Sequence, residues 1–217
     1  MDTRSGNGVT LLMAASLPRP VSAVRLDGGR LCIDFANTIH DRFAVEVEDY
    51  IATPERYLEW AGRAGAIDIG GAADLPVSAE GRERLMTDVR SLRDAAFALL
   101  SASADRLTLP REPLRVENHW LMRARESQSM TEDGVLTLRA DPGDWSLALK
   151  AVALDLVETI ADARAGRLRL KHCANRSSCG WLFADTSKNG LRRWCSMQTC
   201  GTVSKMATRR AKGAAGA

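Results

Sequence analysis

Four of the five cysteines fall at Cys173, Cys179, Cys195 and Cys200, with the spacing C-x5-C-x15-C-x4-C. Zinc takes four ligands in a tetrahedron, thiolates suit it, and four sulfurs together leave no open position for a substrate. The pattern therefore points to a structural metal site rather than a catalytic one. Two disulfides are the alternative that the bare spacing leaves open, and a reducing compartment favours the metal. His172 adjoins Cys173 and could replace a sulfur, although a solvated or phosphate-facing histidine is the simpler reading. Cys32 stands far off and reads as a small buried hydrophobe on a strand of alternating pattern.

The charge around these cysteines is lopsided. Residues 171–217 hold nine Lys/Arg against one acid, Asp185, a charge of +8; the preceding 170 residues carry 21 basic and 26 acidic groups, a charge of −5. A basic end on an acidic body is a signature of polyanion contact. Arg192 and Arg193 precede Cys195, and Lys205, Arg209 and Arg210 follow Cys200 at near-helical spacing, which lets one helix face present cations to phosphates. These five are the candidate nucleic-acid contacts. Trp181 and Trp194 read as core of a small module rather than as base-stacking rings. Asp185 reads as a turn acid or cap.

Asp34, Asn37 and His40 form a second polar group, at the end of what reads as a strand, where they could line a ligand pocket. The favoured alternative is that Asn37 or Thr38 caps the next helix and Asp34 satisfies backbone donors. No Ser-His-Asp set, phosphate-cradling glycine loop or His-Glu metal motif is present, so the sequence offers no site for an enzyme.

The elements that must position these residues are mostly helical. "VRLDGGRLCIDFANT" reads as a tight Asp-Gly-Gly turn between two strands, the second being 31–35. Thr53 precedes Pro54, a cap followed by a favourable first helical residue. Residues 62–78 read as a loop. From Ser78, Leu85, Val89, Leu92, Ala96 and Leu99 recur at helical spacing. Another helix is expected from Pro113 to about Arg125, then a hairpin turning at Asp133-Gly134. The most apolar helix is expected from a cap at Asp144 to Gly166, central in the bundle. Residues 168–171 and "GWLFAD" read as strands flanking the first cysteine pair, and the second pair lies where a helix should start. The short connection "RLRLK" implies that the cysteine module docks on the body.

No run approaches the roughly 18 apolar residues of a membrane span. The opening "VTLLMAASL" is brief and preceded by Asp2, so residues 1–20 are expected to be a leader without fixed structure in a cytoplasmic protein.

The segment "CGWLFADTSKNGLRRWCSMQTCG" resembles the CGNR zinc finger, and "GGRLCIDFANTI" resembles the start of the ABATE domain that accompanies it. The resemblance covers the chain from about residue 22. It implies stress-induced transcription regulation, DNA binding, and zinc held by Cys173, Cys179, Cys195 and Cys200. One departure stands out: the Asn-Arg of the name-giving motif is Thr202-Val203 here, which removes one expected phosphate or base contact.

The expected fold is mainly α with small β-hairpins: a helical domain over 21–167, a treble-clef-like or ribbon-like four-cysteine zinc finger over 168–212, and a flexible tail over 213–217. The expected function is DNA-binding transcription regulation with Zn2+ as cofactor and duplex DNA as partner. The body would sense a small-molecule effector or form a homodimer, with no membrane involved. An RNA-binding zinc protein and a protein-interaction module remain the alternatives.

Overall fold

The computed structural model describes residues 19–43, 47–67, 78–139, 144–176 and 179–206. Five helices carry most of it: α1 (Leu31–Ala36), α2 (Pro54–Arg63), α3 (Ala79–Ala104), α4 (Arg111–Glu126) and α5 (Leu147–Arg164). Three antiparallel two-stranded ladders interrupt them: β1 (Ile39–His40) with β2 (Glu48–Asp49), β3 (Gln128–Met130) with β4 (Leu136–Leu138), and β5 (Leu170–His172) with β6 (Leu182–Ala184). A wide π-helical turn, Met197–Gly201, continues as α-helix over 202–206.

Helix starts follow the local signals. Thr53 Oγ1 accepts from the Arg56 N–H, so the expected cap there is made, and Ser78 Oγ caps α3 in the same way by accepting from the Gly81 N–H. Asp144 is not the cap expected of it: α5 starts after Ser146, which makes no side-chain cap bond, and Asp144 instead accepts from the Ser146 N–H and from Lys150 Nζ at 2.7 Å just before the helix. That helix packs against α1, α3 and α4, the central position that its apolar surface predicts. Trp60, Trp120, Tyr57, Phe35 and Leu149 are among the largest fully buried side chains of the core, and Phe35 and Trp60 lie 5.2 Å apart. Residues 68–77, most of the expected loop, lie outside the described residues, as does nearly all of the expected leader. Arg19 and Pro20, at the leader's end, are held: the Arg19 N–H donates to Glu48 and its carbonyl accepts from Arg56.

One element differs in kind. Residues 31–35 belong to α1, not to a strand, and among the described residues no hairpin precedes them. Five of its six residues are buried, and in so short an apolar run alternation cannot be distinguished from all-round burial on a helix. What selects the helix is tertiary: the Cys32 N–H, in the first turn, donates to Asp155 on α5 at 2.8 Å, while Arg30 pairs with Asp155 and Asp162. Cys32 is fully buried, as expected, but on this helix, with its Sγ 3.4 Å from Thr159 Oγ1.

An ion pair between buried Arg93 and half-buried Asp49 holds the β1–β2 ladder to α3. Both terminal nitrogens of Arg93 lie 2.7 Å from the two Asp49 oxygens, and Nη1 also donates to Thr38. No described helix is long and apolar enough to cross a membrane.

Candidate metal centre

β5 and β6 pair with Leu170 opposite Ala184 and His172 opposite Leu182. The Cys173 N–H donates to the Trp181 carbonyl at 2.8 Å and extends the ladder by one bond, so the loop between them is a knuckle with Cys173 and Cys179 at its base. The chain turns back at Gly180 with φ of +67°, and a Cβ there would meet the Phe43 ring at 3.0 Å. Only glycine suits both conditions.

The second pair is brought in from the other side. The Ala174 N–H donates to the Arg193 carbonyl at 2.8 Å, joining the knuckle to the segment that leads into Cys195. Ser196 Oγ accepts from the Gln198 N–H and starts the helical turn that carries Cys200. The loop between the pairs is wrapped around Lys171, whose Nζ contacts Asp185 Oδ2 at 2.7 Å and the carbonyls of Gly190 and Arg192. Asp185 also accepts from the Ser187 N–H and hydroxyl. Burial alone would raise its carboxyl; the Lys171 and Ser187 bonds outweigh it and hold the group well below the usual carboxylate range.

The outcome is four buried sulfurs, all within 4.8 Å of one another. Cys179 and Cys195 Sγ are 3.6 Å apart, and Cys195 and Cys200 Sγ 3.7 Å. Zn–S bonds of about 2.3 Å give a tetrahedron with edges of about 3.8 Å, whereas a disulfide closes to about 2.05 Å. The spacing fits sulfurs sharing one cation. As bare thiols they would share protons: hydrogen bonding to Cys173 pushes the Cys179 and Cys195 thiols up, while the same bonds draw that of Cys173 down. A divalent cation removes that competition by holding all four as thiolates. His172 is not part of the group; its Nε2 lies 3.3 Å from Ser101 Oγ and 3.4 Å from Asp105 Oδ2, at the end of α3.

The module is bound to the body by main-chain complementarity. Asn37 donates its Nδ2 to the Leu182 carbonyl at 2.8 Å and accepts the Leu182 N–H on Oδ1 at 3.0 Å, acting as a one-residue third strand beside β6. Trp181 Nε1 donates to the Ile39 carbonyl, and the Ala184 N–H to the Gly28 carbonyl. A Cβ on Gly28 would meet Ile33 at 2.6 Å, which glycine avoids. Trp181, Leu182, Phe183 and Ala184 join the same hydrophobic cluster as Phe35 and Leu99.

A family model described as "Putative stress-induced transcription regulator" (ABATE) matches residues 29–163. The chain belongs to that family. The CGNR zinc finger model matches residues 169–213, which contain all four clustered cysteines. No curated protein matches closely enough to add a relative.

Within this ABATE–CGNR chain the sequence-predicted site residues are sorted by their contacts. Arg192 is turned inward: its guanidinium donates to the carbonyls of Trp194, Cys195 and Asp27 and lies 4.5 Å from the centre of the Phe183 ring. It braces the approach to Cys195 and is half-buried, at the edge of the groove that Arg193 also lines. Arg193 and Lys205 are exposed, and Arg209 and Arg210 lie outside the described residues. Of the expected pocket group, Asn37 is the docking residue just described; it ends α1 as its C-cap and does not cap the next helix, which Thr53 does. Asp34 accepts the Gly28 N–H, as its backbone role predicts, and burial pushes its carboxyl up to about 7. His40 alone borders a cleft, between the body and the finger. Thr202, in place of the family asparagine, donates to the Met197 carbonyl, while Val203 is 53% exposed. Sequence reasoning missed Arg176, exposed on the knuckle next to a groove shared with Arg193; its only signal was its place between the first two cysteines.

Proposed function

We propose that this chain is a DNA-binding transcription regulator whose C-terminal finger, over 168–212, is organised by one structural Zn2+ on Cys173, Cys179, Cys195 and Cys200, and whose helical body, over 21–167, carries the regulatory input. The metal crosslinks the knuckle to the last helix; it performs no reaction. One observation carries the reading. The finger's single acid, Asp185, is buried and neutralised by Lys171, so its exposed cations Arg176, Lys188, Arg193 and Lys205 have no counter-charge within the module. Such a surface attracts a phosphate backbone and releases its counterions.

A gel shift with random-sequence duplex at low salt tests this. With about six cations at phosphates, log K against log salt falls with a slope near −5, each neutralised phosphate contributing about −0.9. A flat salt response refutes the reading. A protein-interaction role is the second reading, favoured by Met197, Val203 and Met206, which leave the final helix with exposed apolar side chains where the family motif has an arginine. Single-stranded RNA as a competitor in the same assay separates duplex preference from RNA binding.

A further inference from the structure

We propose, resting on the DNA-binding reading above, that segment 188–193 reads bases in the major groove of duplex DNA, at an A·T pair. Leu191 is 75% exposed, the most exposed large apolar side chain among the described residues. Exposure alternates around it: Leu191 and Arg193 are exposed, whereas Gly190 and Arg192 are half-buried. Lys188 and Asn189, in the turn just before, are exposed as well, and the Asn189 amide has no hydrogen-bond partner among the described residues. A single exposed leucine needs no explanation. One flanked by two cations and an unpaired amide forms a set with a common use.

The finger holds this segment in one shape without a ligand. Lys171 Nζ donates to the carbonyls of Gly190 and Arg192, and Arg169 Nη2 donates to the Ser187 carbonyl at 2.6 Å. The Gly190 N–H donates to the same Ser187 carbonyl at 3.1 Å. Arg192 turns back onto the carbonyls of Trp194 and Cys195. An element ordered beforehand loses little conformational entropy on binding.

The side chains presented match one groove. Lys188 and Arg193 face no acid within the finger, whose single carboxylate, Asp185, is held by Lys171. The chain between these two cations spans at most about 17 Å. That bridges a major groove about 12 Å wide, so both cations meet its phosphate walls while Leu191 lies over the base edges. The apolar group offered there is the thymine methyl, and an asparagine amide pairs with N6 and N7 of adenine. The minor groove presents no methyl, and A-form RNA closes its major groove to side chains.

The chain purified with zinc is used to select duplexes from a random-sequence pool, and selected and scrambled duplexes are compared by gel shift. Selected duplexes are expected to share an A·T pair. Asn189→Ala lowers the preference for selected over scrambled duplex about tenfold. Deoxyuridine in place of the shared thymine removes only the methyl; it weakens the parent about fourfold and Leu191→Ala not at all. Lys188→Ala weakens both duplexes by the same factor. One zinc equivalent and unchanged thermal melts show that these surface variants fold. Selection without a shared A·T pair, a preference that Asn189→Ala leaves intact, or a deoxyuridine effect equal in the parent and Leu191→Ala overturns the role of the segment while DNA binding stands. Failure to bind any duplex at low salt overturns the DNA reading and the role of the segment with it.

Discussion

Replacing Asn37 with alanine tests whether the finger is held by main-chain complementarity. Asn37 is 1% exposed and Leu182 fully buried, so truncation leaves the Leu182 N–H and carbonyl without partners where water does not reach them. Each stranded group costs about 1–3 kcal/mol, so Asn37→Ala should destabilise the protein by about 2–6 kcal/mol. Against a total stability of about 5–15 kcal/mol that is a large fraction. Asn37→Asp is the sharper probe. It keeps an acceptor for the Leu182 N–H but sets a carboxylate against the Leu182 carbonyl, so it should be no better tolerated than alanine. Urea unfolding of the zinc-saturated protein, followed by circular dichroism, measures both. If Asn37 were a ligand-pocket residue, its loss would spare stability and alter small-molecule binding. An Asn37→Ala variant within about 0.5 kcal/mol of the parent, the range of ordinary surface changes, would refute the docking argument.

Cys179→Ser should abolish stoichiometric zinc and unfold the finger, because metal binding and folding of such a module are one equilibrium; a full zinc equivalent in the purified variant defeats the ligand assignment. Arg192→Ala should lower stability by about 1–3 kcal/mol by leaving the carbonyls of Trp194 and Cys195 without their donor. Arg193→Ala should leave stability unchanged and reduce the salt slope of duplex binding by about 0.9; equal behaviour of the two variants in both assays contradicts their assigned roles. Glu117 is 3% exposed, neither carboxylate oxygen has a hydrogen-bond partner among the described residues, and burial pushes its carboxyl up to about 8. The folded state keeps this proton where the unfolded chain releases it. Stability conferred by the protonated group is therefore full below pH 4.5 and is lost as the pH rises towards 8, at up to about 1.4 kcal/mol per pH unit. Glu117→Gln should remove that slope, so denaturation midpoints of variant and parent that stay parallel from pH 5 to pH 8 count against it.

The sequence by itself determined what rests on residue type and short spacing. Thr53 and Ser78 cap their helices because a cap needs only a side-chain oxygen two or three residues from a free N–H. The long apolar periodicities of α3 and α5 exceed what any strand could use. The four cysteines were legible for the same reason: a chain with so few thiols elsewhere must give its clustered ones a common task. The tertiary structure decided what depends on partners distant along the chain. Residues 31–35 became α1 because Asp155, 123 positions away from Cys32, receives its N–H. Asn37 became a surrogate strand because Leu182 arrives opposite it, and Arg192 turned inward because three carbonyls and the Phe183 ring surround it while its neighbour Arg193 stays exposed. Two adjacent arginines are identical as letters. Which one faces solvent is settled only by where unsatisfied backbone acceptors come to lie, and a linear sequence does not carry that information until the chain has folded.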